Sequence, residues 1–201
     1  MKWILDPGHG GLAFGQYLTP GKRSPEVPPG LYEGAFNRLI SQGIATTLKA
    51  LKGVEVAQTA IGPINIPLKN RVAFVNGLQK RVGNCVLISL HVNAAPGKGW
   101  SSARGFTIFK PRRQFPHLIE KSHKLATLIE SELRVADYTS SRGIKEANFT
   151  IIQKVNCPAV LVEMGFMTNQ MEVKALNDPA VQADIIGALV RAMIGFEQGG
   201  E

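Results

Sequence analysis

The sequence predicts one α/β domain built on a mostly parallel β-sheet. Three observations lead there. Cys85-Val86-Leu87-Ile88-Ser89-Leu90-His91 is a nearly continuous apolar run of strand length, and such runs belong to strands covered on both faces, as in parallel sheets. Short apolar runs alternate along the chain with segments of helical periodicity, the pattern of βα units. At 201 residues the chain fits one domain. A chain of that size buries about 70% of the surface exposed when unfolded, so it folds without crosslinks.

Lys2-Trp3-Ile4-Leu5 starts the first strand. A loop from Asp6 to about Gly30 follows, with eleven Gly or Pro among its twenty-five residues; so long a loop in a compact domain is usually functional. Glu33 to Lys52 reads as a helix, because Phe36, Leu39, Ile40, Ile44, Leu48 and Leu51 recur at helical spacing. Glu33 in its first turn suits the positive end of the helix dipole, and Gly53 suits its C-cap. Val54 to Ala57 is a second strand. Pro67 opens the next helix, with Leu68, Val72, Val75 and Leu78 inward. Cys85 to His91 and Gly105 to Phe109 are strands three and four. Pro116 to about Leu133 is a long helix, with Leu118, Ile119, Leu125, Leu128, Ile129 and Leu133 periodic. Phe149–Ile152 and Ala159–Glu163 read as two more short strands. A helix near Met171–Leu176 and a last one from the N-cap Asp178 and Pro179 to Phe196 close the chain.

Composition narrows the function classes. With 44% apolar and 19% charged residues the chain is neither disordered nor a coiled coil, and its Gly and Pro have no collagen period. Twenty-three Lys and Arg against fifteen Asp and Glu give a net charge of +8, which favours a polyanionic partner: nucleic acid, an anionic membrane or an anionic cell wall. The basic residues are dispersed, densest at Lys110-Pro111-Arg112-Arg113, with no aromatic interleaving. Nucleic acid is therefore not expected. No stretch reaches the ~20 apolar residues that span a bilayer, and Arg191 interrupts the Ile185–Phe196 run, so no membrane insertion is expected. Asp6-Pro7-Gly8 breaks the N-terminus before a signal-peptide core could form. Cys85 and Cys157 each open an apolar run and read as buried free thiols. His117 and His123, six apart on a helix, do not share a face and read as surface or packing residues.

Four residues carry candidate chemistry. His9 follows the first strand in Asp6-Pro7-Gly8-His9-Gly10-Gly11, and Glu33 opens the first helix. His91 ends the buried strand in Ser89-Leu90-His91-Val92-Asn93-Ala94, and Glu163 ends another in Val160-Leu161-Val162-Glu163-Met164-Gly165-Phe166. Ligands of open α/β sheets bind beyond the carboxyl ends of the strands, where His9, His91 and Glu163 would project and the helix of Glu33 could begin. Two imidazoles and a carboxylate suit a catalytic zinc, which keeps a fourth position for water and lowers its pKa to roughly 7. A second carboxylate must then move protons, and Glu163 is placed for that. The glycines around His9 are open to a plainer reading as a tight turn; they lack the GxxxxGK[ST] pattern of a phosphate loop.

These motifs resemble the zinc-dependent N-acetylmuramoyl-L-alanine amidases often called amidase-3. The resemblance runs from Trp3-Ile4-Leu5-Asp6-Pro7-Gly8-His9-Gly10-Gly11 through Glu33, Arg71, Val72, Ala73 and Asn76, then Ser89 to Ala94, Arg142-Gly143-Ile144-Lys145 and Pro158 to Asn169, to the final helix. It implies a single twisted, mostly parallel sheet of about six strands flanked by helices. It implies one Zn2+ held by His9, Glu33 and His91, with Glu163 as catalytic acid/base. The reaction implied is hydrolysis of the amide joining the lactyl group of N-acetylmuramic acid to L-alanine of the peptidoglycan stem. Ala60 departs from the pattern, which commonly has Arg after Thr59. Glu26 is a rival ligand in the long stretch after His9; Glu33 is preferred because the helix start fixes its direction and Phe36-Asn37-Arg38 continues the pattern.

Weaker candidates are Asn93 and Arg142 for substrate contact, and Asp6 as a support for His9; each also has a plain turn or surface reading. The amidase-like pattern uses nearly the whole chain, so a single catalytic domain without a wall-binding domain is expected, acting as a monomer. Its place of action would be the cell wall. Without a visible signal peptide it would be released as phage lysins are, or lack a leader. A zinc peptidase cutting stem peptides would use the same donor set, and a non-catalytic peptidoglycan-binding module is the alternative from another class.

Overall fold

The computed structural model describes residues 1–27, 30–51 and 54–199. At its centre lie three strands whose sequences leave no polar face: β1 (Lys2–Pro7), β5 (Cys85–Asn93) and β8 (Ala159–Phe166). They pair in parallel, Leu5 opposite Ile88 and His91 opposite Glu163. Around them stand β4 (Glu55–Gln58), β6 (Phe106–Pro111) and β7 (Ser141–Ala147). Among the described residues these form a six-stranded sheet of order β4-β1-β5-β8-β6-β7. Within this sheet the described pairs are parallel except β6 with β8, which is antiparallel. The connection from β5 to β6 holds no helix that would carry the chain back to the other edge, so β6 runs downward; α3 (Pro116–Ala136) then returns the chain, and β7 lies parallel to β6.

Alternate residues of each strand enter two separate cores. Trp3, Leu5, Val86, Ile88, Leu90, Val160 and Val162 pack under α1 (Glu33–Lys49), α3, α5 (Gln170–Leu176) and α6 (Pro179–Gln198). Ile4, Cys85, Leu87, Ala159 and Leu161 pack under α2 (Leu68–Val82) and the single turn α4 (Thr150–Gln153). The first face is fully roofed and the second only in part, since α2 buries just Arg71, Val75 and Leu78. A short hairpin, β2 (Leu12–Ala13) with β3 (Gln16–Tyr17), lies in the long loop after β1. By length and composition α6 could cross a membrane; here it buries Ile185, Leu189, Met193 and Phe196 in the larger core and pairs Arg191 with Glu132 of α3. Cys85 and Cys157 are buried free thiols, as expected.

Several expectations need correction. Phe149–Ile152 is not a strand: Thr150 to Gln153 form α4, with Ile151 and Ile152 both buried. Two adjacent β-branched residues in a short apolar run look the same in a strand and in a buried turn of helix. The sixth strand is β7 instead, in the stretch around Arg142 where no strand is expected from the sequence. Its sequence Ser-Arg-Gly-Ile-Lys-Glu-Ala carries little apolar signal because it is an edge strand pairing only with β6. Leu39 and Leu68, counted as inward, are each 45% exposed, and Leu51 is exposed too. The α1 helix ends at Lys49; the expected end at Lys52 and cap at Gly53 lie outside the described residues.

The difference between the two sides of α1 is testable. Ile44→Ala, which empties a fully buried position, should cost about 2–5 kcal/mol in urea unfolding. Leu39→Ala, on the exposed side, should stay within about 0.5 kcal/mol. Equal losses would contradict the packing.

Candidate active site

The period of two that sorts the cores also builds the site. Asp6 of β1, Ser89 and His91 of β5, and Glu163 of β8 continue the same alternation as Ile4, Leu87 and Leu161. They therefore emerge above the smaller core, on the face that α2 and α4 leave partly open. A cavity of about 550 Å3 lies there, lined by His9, Lys22, Leu68, Arg71, Phe149 and Glu163 among others.

His9, Glu33 and His91 converge at its upper end. One donor atom of each lies within 4.8 Å of the others. Glu33 Oε1 is 3.0 Å from His91 Nδ1, and Oε2 is 3.4 Å from His9 Nε2. Glu33 comes from the far side of the sheet: α1 begins at the carboxyl edge, and Oε1 also accepts the Val92 N–H at 3.3 Å. Burial alone would raise the Glu33 carboxyl, but hydrogen bonds and charge from His9 and His91 outweigh it and bring it to about 2. For His91, burial disfavours the cation, and the Glu33 carboxylate overrides this and raises its pKa.

Two glycines permit this approach. A Cβ on Gly8 would fall 2.2 Å from His91 Cε1, and one on Gly34 would fall 1.9 Å from the Gly10 carbonyl oxygen. The first lets the His91 ring lie against the loop; the second lets the first turn of α1 abut it. Gly34 N–H donates to the Tyr17 hydroxyl at 2.9 Å, and Gly10 N–H to Thr19 Oγ1 at 2.7 Å.

His9 sits at φ 63°, in the left-handed region, a conformation that costs a non-glycine residue about 1–2 kcal/mol. Its carbonyl is gripped by two guanidinium groups, Arg71 Nη2 at 2.9 Å and Arg38 Nη2 at 2.8 Å. Arg71 also donates to the carbonyls of Pro7 (2.6 Å) and Ile66 (2.8 Å) and to Asp6 Oδ1 at 2.8 Å. Arg38 reaches the carbonyls of Gly62 and Gly34 at 2.8 and 2.9 Å. Asp6 is fully enclosed and also accepts from the hydroxyls of Thr59 and Ser89. Burial pushes its carboxyl up, but Arg71 and the two hydroxyls outweigh that and hold it below its ordinary value. Asp6 thus serves His9 through Arg71 and the loop backbone; its recorded side-chain partners are Arg71, Thr59 and Ser89.

Glu163 is different in kind. Its Oε2 is buried and has no hydrogen-bond partner among the described residues, and burial raises its carboxyl to about 7. A buried carboxyl oxygen without a partner costs free energy unless something is to be bound there. Two imidazole nitrogens and one carboxylate fit the ligand preference of zinc, with the cavity open to a fourth position.

The remaining candidates lie elsewhere. Asn93 Oδ1 accepts the N–H of Ala94 at 2.8 Å, the turn-stabilising arrangement. Arg142 lies over the Phe166 ring at 5.2 Å and donates to the Arg104 carbonyl, apart from the residues lining the cavity. Glu26 faces a separate cavity with Trp100 and Lys174. His117 and His123 are exposed. Sequence reasoning noted Arg38 and Arg71 only as parts of the family-like pattern and gave neither a task. The available signal was Arg71 at the head of the buried stripe Arg71, Val75, Leu78 of α2, since a charged residue on an inward face needs a partner.

Residues 4–194 match the family described as Amidase_3, N-acetylmuramoyl-L-alanine amidase. Among curated relatives, the Bacillus subtilis uncharacterized protein YqiI is 29% identical over 192 residues, covering 96% of this chain and 82% of that one. The germination-specific N-acetylmuramoyl-L-alanine amidase of B. subtilis is 27% identical over 130 residues, or 64% of this chain and half of that protein. A cell wall amidase of Bacillus anthracis is 28% identical over 178 residues, covering 88% of this chain but 32% of its own length. The crystal structure of an N-acetylmuramoyl-L-alanine amidase from Clostridium difficile 630 superposes with a TM-score of 0.81 at 24% identity, covering all of this chain and 98% of that one.

Two variants probe the support of the site. Asp6→Asn leaves Arg71 as an uncompensated buried charge and should cost about 3–5 kcal/mol at neutral pH. Because the folded-state pKa of Asp6 is depressed, its contribution is complete above about pH 4 and is lost as pH falls through the folded value. The stabilities of wild type and variant should converge in acid; a constant gap down to pH 2 would refute the ion pair's role. Gly8→Ala should displace the His91 ring and weaken divalent-metal binding at least tenfold in chelator competition, with the circular dichroism spectrum retained.

Proposed function

Because the chain belongs to the Amidase_3 family of N-acetylmuramoyl-L-alanine amidases, we propose that it hydrolyses the amide between the lactyl group of N-acetylmuramic acid and L-alanine of the peptidoglycan stem. The observation that carries this reading is the convergence of His9, Glu33 and His91 beside the unpartnered carboxyl of Glu163. Its place of action is the cell wall, and the +8 charge suits an anionic wall surface.

We assign one zinc ion to His9, Glu33 and His91, where it would supply Lewis-acid polarisation of the attacking water and the scissile carbonyl. Proton traffic falls to this chain's own residues. Glu163, held near neutrality by burial, is a carboxylate able to take a proton from water at Oε2 and a carboxylic acid able to deliver it. Delivery is to the nitrogen of L-alanine, because an amide nitrogen leaves only once protonated. The carbonyl carbon gains the oxygen of water and the C–N bond breaks. The products are the lactyl carboxylate and a stem peptide with a free amino terminus. Ile66, Leu68 and Phe149 line the cavity below and reduce the water around the reacting groups. Arg38 and Arg71 hold the His9 loop in place while this happens.

Digestion of purified peptidoglycan, with mass spectrometry of the soluble products, tests the reading. Stem peptides beginning with L-alanine and uncut glycan strands are expected. Cuts between stem residues would make the protein a metallopeptidase, and release of nothing would leave a binding module. Glu163→Gln should lower kcat about 10²–10⁴-fold while zinc content by elemental analysis stays at wild-type level. His91→Ala should lose the metal.

A further inference from the structure

The charged groups lining the cavity are almost all engaged. Asp6 and Arg71 neutralise one another, and the remaining Arg71 donors go to the carbonyls of Pro7, His9 and Ile66. His9 and His91 are tied to Glu33. The remaining cation is Lys22: it is exposed, lines the same cavity as His9, His91 and Glu163, and has no acidic partner among the described residues.

Lys22 differs from an ordinary solvated lysine in how its backbone is anchored. Its carbonyl accepts the N–H of Glu33 at 3.0 Å, and its own N–H donates to Thr19 O at 3.3 Å. Thr19 in turn accepts from Gly10 beside His9, and Arg23 bridges to Tyr32. The root of the side chain is thus registered to the helix start that carries Glu33 and to the loop that carries His9. Lys22 stands in the wall of the cavity that also holds His91 and Glu163. The other walls offer the amides of Asn65 and Asn148 and the apolar surfaces of Ile66, Leu68 and Phe149. A single cationic corner among amides and apolar walls suits a peptide bearing one carboxylate.

We propose that Lys22 is a specificity-determining residue that receives a free carboxylate of the stem peptide close to the bond being cut. The inference rests on the amidase reading and adds a preference within it. A glutamate joined through its γ-carboxyl after L-alanine presents such a group, its α-carboxylate; the corresponding carboxamide presents none. An exposed ammonium–carboxylate contact contributes up to about 1 kcal/mol, about fivefold in KM, and should weaken with salt.

Two synthetic substrates test this: N-acetylmuramoyl-L-alanyl-γ-D-glutamyl-L-alaninamide and its α-carboxamide counterpart. The wild-type protein loaded with zinc should prefer the carboxylate about threefold to fivefold, chiefly in KM, with the preference fading at high salt. Lys22→Ala should abolish the preference by raising KM for the carboxylate substrate, Lys22→Arg should retain it, and Lys22→Glu should reverse it. Equal wild-type rates on the two substrates, or a preference that survives in Lys22→Ala, would overturn the proposal and leave the amidase reading intact. An equal fall in kcat on both substrates with a displaced pH profile would also overturn it, showing that Lys22 acts through Glu163. If the wild type releases N-acetylmuramic acid from neither, the amidase reading itself fails, and this proposal with it.

Discussion

The buried pair of Asp6 and Arg71 is the constraint on which the site depends. His9 must leave the end of β1 in a left-handed conformation to turn its ring toward His91 and Glu33, and the side-chain contact with Glu33, at 3.4 Å, is only part of what offsets that backbone. The rest comes from its carbonyl, which accepts from Arg71 and Arg38 together. A guanidinium as enclosed as that of Arg71 is tolerable only beside a carboxylate, and Asp6, three residues before His9 on the same strand end, supplies it. Thr59 and Ser89 complete the acceptance at Asp6 from the two strands flanking β1. One ion pair thus fixes the turn geometry of a residue whose side chain it never touches. Arg38 extends the grip to α1, tying the helix that carries Glu33 to the loop that carries His9.

The open face of the sheet follows from how little covers it. On the other side α1, α3 and α6 bury long apolar stripes. On the site's side α2 contributes Val75 and Leu78, and α4 one turn with Ile151 and Ile152. That is enough to seal Ile4, Leu87 and Leu161, and it stops below the level of Asp6, His91 and Glu163. Leu68 and Phe149, at the beginnings of the two short roofs, remain 45% and 41% exposed. Apolar side chains left in that position line the cavity rather than fill a core.

The fold was legible wherever burial imposes itself on sequence. The run Cys85–His91 could only be a two-faced strand, and the helical stripes of α1, α3 and α6 read directly because each has one dry side. The edge strand β7 was not legible: solvent and a single partner select no pattern, so nothing marked Ser141–Ala147 as a strand. The α4 turn was misread because Ile151-Ile152 is too short for a period to show. In the site, strand-end histidines and glutamates stood out because polar residues at the end of apolar runs demand a reason. Asn93 stood out by proximity in sequence to His91, and proximity along a strand end does not set where a side chain turns; Arg142 stood out only through the family-like motif around it. Arg38 was visible only as part of a pattern, and its task was not, because that task is to bind backbone carbonyls of a loop whose course no local pattern predicts.

The two glutamates show how one small site gives one residue type two electrostatic environments. Both are largely buried, and burial pushes both carboxyls upward. Glu33 meets two imidazoles and the Val92 N–H, so its charge is stabilised and its carboxyl stays near 2. Such a group is a fixed anion at any physiological pH and suits a cation. Glu163 is raised by its burial to about 7, with the like charge of Glu33 adding to the rise and His91 and Lys22 opposing it, and its Oε2 has no donor among the described residues. Such a group exchanges its proton within the range where a wall enzyme works. Environments that drive two carboxyls apart in this way suit the two to different chemistry, and the proposed roles of Glu33 and Glu163 rest on that separation. The difference originates in the elements that bear them. A helix start can bring Glu33 across the sheet edge into reach of both histidines, while the pleat of β8 leaves Glu163 facing an open cavity.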